Sequence, residues 1–138
     1  MPLTPKFTPP RYVAVEGPIR VGKSTLARIL SERMHARLVA DPDDNPYLAD
    51  FYAERHGAAL RAQLHFLLTR YQQLSDLGLE RDPRPVVCDY LFERDRIFAA
   101  LTLDDAELQL YERYYQLFRP QISNPDLVIY LQASPDVL

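Results

Sequence analysis

Residues 13 to 25 read VAVEGPIRVGKST. The spacing Gly17-x-x-x-x-Gly22-Lys23-Ser24 is the arrangement that closes a backbone loop around a phosphate. Gly17 and Gly22 let the chain curl so that successive N–H groups point inward, and the start of the next helix adds the positive end of its dipole. Lys23 brings a compact cation to the terminal phosphates, and the Ser24 hydroxyl is of the type that ligates a magnesium ion bridging them. Pro18, Ile19, Arg20, Val21 and Thr25 complete the loop. Arg20, a long cation where small residues are usual, either faces solvent or adds positive potential. A glycine turn with a surface lysine is the bland alternative. The flanks argue against it: an apolar run precedes the loop, and Leu26, Ile29, Leu30 and Met34 recur at helical spacing after it.

Transfer of a phosphoryl group to a hydroxyl needs a carboxylate to take the proton. DPDDNP at 41 to 46 offers Asp41, Asp43 and Asp44, and VVCDY at 86 to 90 offers Asp89. Asp41 stands first after a strand and Asp89 at the end of one, both at the cleft end of a parallel sheet. Asp43 and Asp44 are better placed to precede a helix and serve its dipole. Gln63 and Arg70 stand seven residues apart on a long helical pattern, on nearly one line and about 10 Å apart along the axis. An amide and a guanidinium so spaced can grip the two ends of a nucleoside. A solvated helix face is the ordinary alternative. His35, His56 and His65 lack the spacing of metal ligands.

Four short apolar runs position these groups as strands, at about 12 to 16, 37 to 40, 86 to 89 and 127 to 132. Their lack of clean alternation suits strands buried on both faces. Helical patterns cover 23 to 34, about 58 to 77, about 93 to 101 and 105 to 118. In the second, Leu60, Leu64, Leu67, Tyr71 and Leu74 form a core stripe. Asp104 with Glu107 reads as a capping box, and Asn45-Pro46 and Ser134-Pro135 as caps followed by a first-turn proline. Strand alternating with helix predicts a three-layer α/β fold, a parallel sheet flanked by helices.

The 138 residues carry a net charge of −3 with mixed signs, which argues against a nucleic-acid backbone as partner. The single cysteine, Cys88, lies in an apolar run and reads as a buried structural thiol. No signal-like or membrane-spanning apolar segment is present, so a cytoplasmic protein is expected. Residues 1 to 11, with four prolines, read as a tail ahead of one domain over 12 to 138.

The chain resembles the deoxynucleoside kinase family, above all its bacterial branch, from about Tyr12 to Leu138. The resemblance rests on GPIRVGKS at 17 to 24, DNPYLADFY at 44 to 52, the Gln63 to Arg70 helix, IFA at 97 to 99 and PDLVIYLQAS at 125 to 134. It implies the phosphate-loop nucleoside kinase fold, ATP and Mg2+ as cofactors, a homodimer, and phosphorylation of a deoxynucleoside 5'-hydroxyl in nucleotide salvage. By the same resemblance Tyr52 contacts the sugar 3'-hydroxyl, Gln63 pairs with the base, Arg70 serves the base and acceptor end, and Asp41 is the general base. The chain departs from the family pattern in three places. The family more often has glutamate as its base, and bacterial relatives carry it where this chain has Ala40, which keeps Asp89 open as the alternative. Asp89-Tyr90 replaces a Glu-Arg pair, so Arg70, Arg94 or Arg96 must supply the missing cation. Finally, family members continue past LQAS through an arginine-rich lid and a last strand; the domain as it stands lacks both and reads as a fragment. A thymidylate-kinase-like monophosphate kinase and a catalytically silent nucleotide-binding module are the rival readings. A GTPase is set aside because NPDL at 124 to 127 is not N-K-x-D.

Overall fold

A computed structural model describes residues 8–18 and 22–132. Ile19, Arg20 and Val21 of the loop, most of the N-terminal tail and the Ser134-Pro135 cap lie outside the described residues. Four strands, β1 (Tyr12–Glu16), β2 (Arg37–Val39), β3 (Val86–Cys88) and β4 (Leu127–Tyr130), form one parallel sheet in the order β2-β3-β1-β4. Tyr12 stands opposite Val86, and Val13 opposite Leu127. Because β3 lies on one side of β1 and β4 on the other, β1 is where the connections change direction. The carboxyl ends of β1 and its neighbours therefore open a crevice there.

The helices are α1 (Lys23–Met34), α2 (Leu48–Tyr52), α3 (Ala58–Ser75), α4 (Arg94–Thr102) and α5 (Asp105–Phe118), with a short 3-10 turn at Arg119–Gln121. Period-2 geometry sends alternate β1 side chains to opposite faces. Tyr12 and Ala14 join Leu67, Leu74, Cys88, Tyr90 and Tyr111 beneath α3, α4 and α5; Val13 and Val15 join Ala27 and Val87 beneath α1. The three layers follow from that division. The Asp104 capping box forms as expected: Asp104 Oδ1 accepts from the Glu107 N–H at 2.8 Å, and the Asp104 N–H donates to Glu107 Oε1 at 3.1 Å.

Some expectations need correction. Burial on both faces holds for β1 and β3, the interior strands. It fails for the two outer strands of the described sheet, where β2 leaves Leu38 exposed and β4 leaves Leu127, Val128 and Tyr130 exposed. Ile29 points outward, and Ala27 and Ser31 hold the buried stripe of α1 instead. The α2 turn gives no periodic sequence signal in five residues. Asn45-Pro46 does not cap it directly: Asn45 Oδ1 accepts from the Tyr47 N–H at 3.0 Å, and Asn45 Nδ2 donates to the Ala62 carbonyl at 2.9 Å, pinning the loop to α3. Asp43 and Asp44 therefore sit well ahead of the α2 N-terminus and do not serve its dipole. No described helix is long and apolar enough to cross a membrane.

Candidate active site

The loop delivers its chemistry at the start of α1. Gly22 is the N-cap with φ of +94°, a left-handed conformation that strains any L side chain although no neighbour crowds a Cβ there. Lys23 follows at once, and its Nζ lies 3.6 Å from Glu16 Oε1 and 3.9 Å from Asp41 Oδ2. Ser24 Oγ donates to Asp89 Oδ2 at 2.7 Å, while Asp89 Oδ1 is buried without a partner among the described residues. Gly22 through Thr25, with Pro18, line a cavity of about 440 Å³ closed on its far side by Asp41, Arg70, Arg94 and Phe98.

A ring of charges crosses the crevice from this cavity. Glu16, the last residue of β1, accepts from the Gly17 N–H at 2.9 Å and the Leu91 N–H at 3.0 Å, and from Arg94 Nη1 at 3.2 Å. Asp41 Oδ2 accepts from Arg94 Nη2, and Oδ1 accepts from Arg70 Nε at 3.1 Å and Nη2 at 3.0 Å. Arg70 Nη1 donates to Asp95, whose other oxygen accepts from the Tyr111 hydroxyl. Burial opposes the Arg70 charge, but Asp41 and Asp95 outweigh it and hold the guanidinium above its ordinary pKa. Burial pushes the Tyr111 hydroxyl up, so it keeps its proton and donates it. The Arg70 guanidinium also lies 4.9 Å from the Phe66 ring centre.

On the other side of Asp41 and Arg70 lies a second cavity of about 350 Å³, walled by Phe51, Phe66, Phe98, Leu48 and Gln63, with Tyr52 at its rim. Asp41, Arg70 and Phe98 border both cavities. Gln63 and Arg70 are 8% and 7% exposed, which overturns the solvated-face alternative for that pair. Gln63 Nε2 is buried with no partner among the described residues, an uncommon state that an incoming acceptor would relieve. Tyr52 remains 75% exposed. Asp43 lines this cavity, and the Asp44 carbonyl lies 3.2 Å from His65 Nε2. Arg96 turns outward to Glu112 at 2.7 Å, so of the three candidate substitute cations only Arg70 and Arg94 reach the crevice.

Sequence reasoning missed Glu16, Asp95, Phe66 and Phe98. Glu16 carried a signal, since it ends the strand immediately before Gly17, at the cleft end of the sheet. Asp95 had a weaker one, in the first turn of the helix following β3.

A phosphate loop at the carboxyl end of a parallel sheet meets a largely aromatic cavity through a shared carboxylate and guanidinium, an arrangement of the phosphate-loop fold class. The comparisons narrow this class. The family model for deoxynucleoside kinases matches residues 13–138. The chain is 35% identical over 126 residues to a deoxyguanosine kinase of Bacillus subtilis, covering 89% of this chain and 61% of that protein. It is 30% identical to a deoxyadenosine kinase of Dictyostelium discoideum, covering 91% and 53%. The solved deoxyadenosine kinase of M. mycoides with products bound shares the fold at a TM-score of 0.74 and 23% identity, over 91% of this chain and 65% of that one. This chain belongs to the deoxynucleoside kinase family. It spans 61% and 53% of the length of the two curated relatives named.

Proposed function

We propose that the protein transfers the γ-phosphoryl group of ATP to the 5'-hydroxyl of a deoxynucleoside. The observation that carries this reading is that Asp41, Arg70 and Phe98 border both cavities, so a donor in one and an acceptor in the other meet at a carboxylate. ATP phosphates lie against the N–H groups at the start of α1, and Lys23 moves from Glu16 and Asp41 onto their terminal oxygens. The deoxynucleoside base packs between Phe66 and Phe98, with its edge on Gln63 and its sugar toward Tyr52. The 5'-oxygen forms the new bond to the γ-phosphorus as the bond to the β,γ-bridging oxygen breaks. The hydroxyl proton passes to Asp41, and ADP leaves with the bridging oxygen.

The residues also fit Mg2+. Among the described residues, a polyphosphate entering the donor cavity without a counterion would meet the carboxylate of Asp41 at its wall and those of Glu16 and Asp89 beside Lys23 and Ser24. Ser24 and the unpartnered Asp89 Oδ1 are the protein groups that would hold the ion, directly or through water, and it would supply charge neutralisation to the β- and γ-phosphates. Among the described residues no three His, Cys, Asp or Glu side chains form a metal site by themselves, so its other ligands would be phosphate oxygens and water. This role separates Asp89 from Asp41: Asp89 serves the donor and Asp41 the acceptor. On the family resemblance a second copy of the chain is the partner and the setting is cytoplasmic nucleotide salvage.

The test is ATP-dependent phosphorylation across the four deoxynucleosides and their monophosphates. Phosphorylation of one or more deoxynucleosides, with the monophosphates left unchanged, is expected. Turnover of monophosphates alone would replace this reading with a monophosphate kinase, and nucleotide binding without any transfer with a silent module.

A further inference from the structure

The transferring phosphoryl group needs closely held cations besides the loop lysine, and the described structure offers few. Arg70 is a fixed strut: Nη1 is on Asp95, Nε and Nη2 are on Asp41, and its face is on Phe66. Arg96 is on the outer surface with Glu112. Tyr90, next after Asp89, is fully buried and gives its hydroxyl to Gln73, so position 90 contributes no cation to the crevice. Arg94, first in α4, shares with Arg70 the lining of the donor cavity and a contact to Asp41, but whereas Arg70 commits Nε and both Nη groups, the Arg94 Nε is buried without a partner among the described residues.

Its two carboxylate partners, Glu16 and Asp41, are the same two that stand nearest to Lys23. Two cations thus share two carboxylates at the mouth of the loop, which is where an anionic group would arrive between them. Glu16 is itself fastened by the Gly17 and Leu91 N–H groups, so it fixes the loop, Lys23 and the start of α4 in one frame. We infer that Arg94 is a catalytic cation for the transferring phosphoryl group, and that Glu16 is the positioning residue that holds it beside Lys23. Arg94 contributes charge and N–H bonds, and its Nε–H is a donor that no group among the described residues uses. The inference rests on the phosphotransferase reading above and adds to it two residues with assigned roles.

The test measures kcat, both KM values and directly titrated ATP and deoxynucleoside affinities for Arg94→Ala, Arg94→Lys, Glu16→Gln and Arg96→Ala, in the protein as its organism makes it. Arg94→Ala is expected to lower kcat by about 10³-fold or more while both affinities stay within about threefold. Arg94→Lys should regain part of the loss and also stands in if the alanine variant does not fold. Glu16→Gln should lower kcat with KM kept, and adding it to Arg94→Ala should cost little more, a non-additivity that general loosening of the fold would not give. Arg96→Ala should match the wild type. Retention of kcat within about tenfold in Arg94→Ala, or equal losses in Arg94→Ala and Arg96→Ala, overturns the inference while leaving the kinase reading intact. A wild-type protein that transfers to no acceptor overturns the kinase reading and this inference with it.

Discussion

Replacing Asp95 with alanine tests whether the strut that carries Arg70 is assembled as described. The Asp95 side chain is 0% exposed and accepts from both Arg70 and Tyr111. Burial keeps the Tyr111 proton in place, so removing its acceptor strands a buried hydroxyl at a cost of about 1 to 3 kcal/mol. Breaking one side of a buried ion pair costs about 3 to 5 kcal/mol. Arg70 retains Asp41, which offsets part of that loss. Asp95→Ala should therefore destabilise the fold by about 3 to 5 kcal/mol in total, a large share of the roughly 5 to 15 kcal/mol of a typical domain. Tyr111→Phe removes one hydrogen bond and should cost about 1 kcal/mol. In the double variant the stranded hydroxyl is gone, so the second change should add less than it costs alone. Urea denaturation followed by circular dichroism reads all three. A loss below about 1 kcal/mol for Asp95→Ala, well under the cost of breaking a buried pair, or strict additivity of the two changes, refutes the reasoning.

Gln63→Leu removes the buried amide facing the acceptor cavity and should cost on the order of 1 to 3 kcal/mol of nucleoside affinity, with ATP affinity unchanged; calorimetric titration of each ligand checks it, and equal losses in both would contradict the assignment. Burial pushes the Cys88 thiol up to about 12, partly countered by the Tyr90 N–H and reinforced by Asp41, Asp89 and Glu16. Because the folded value is raised from 9.0, this contribution to stability is fully present below pH 9 and is lost as pH rises toward about 12. Native protein at pH 8 should resist alkylation at Cys88 until it is unfolded. Cys88→Ala should flatten the alkaline limb of the stability curve only in part, since burial pushes Tyr12 and Tyr90 in the same direction.

The layered fold was legible because the interior strands, buried on both faces, must be continuous apolar runs, and because the helices beside them are long enough to show their period. The range read for α1, 23 to 34, is the range observed. What escaped was local or depended on distant contacts. The five residues of α2 are too few for periodicity, and Asn45 turned out to fasten its loop to α3 instead of capping a helix. At the site, Gly17, Gly22, Lys23 and Ser24 announce themselves by spacing alone. Gln63 and Arg70 did not, since a polar pair on a helix is ordinary until burial shows which way it faces. Glu16, Arg94 and Asp95 meet their partners across 16 to 78 residues of chain, which no local pattern encodes.

In the proposed reaction Asp41 serves the acceptor hydroxyl while Asp89, with Ser24, serves the donor's metal, and a Mg2+ titration of turnover in Asp41→Asn and Asp89→Asn distinguishes the two roles. Asp41→Asn should lower kcat by about 10²-fold to 10⁴-fold at every Mg2+ concentration with nucleoside binding kept, whereas Asp89→Asn should raise the Mg2+ concentration needed for half-maximal turnover. A near-normal kcat in Asp41→Asn, with a Mg2+-independent collapse in Asp89→Asn, would contradict it and move the general base to Asp89.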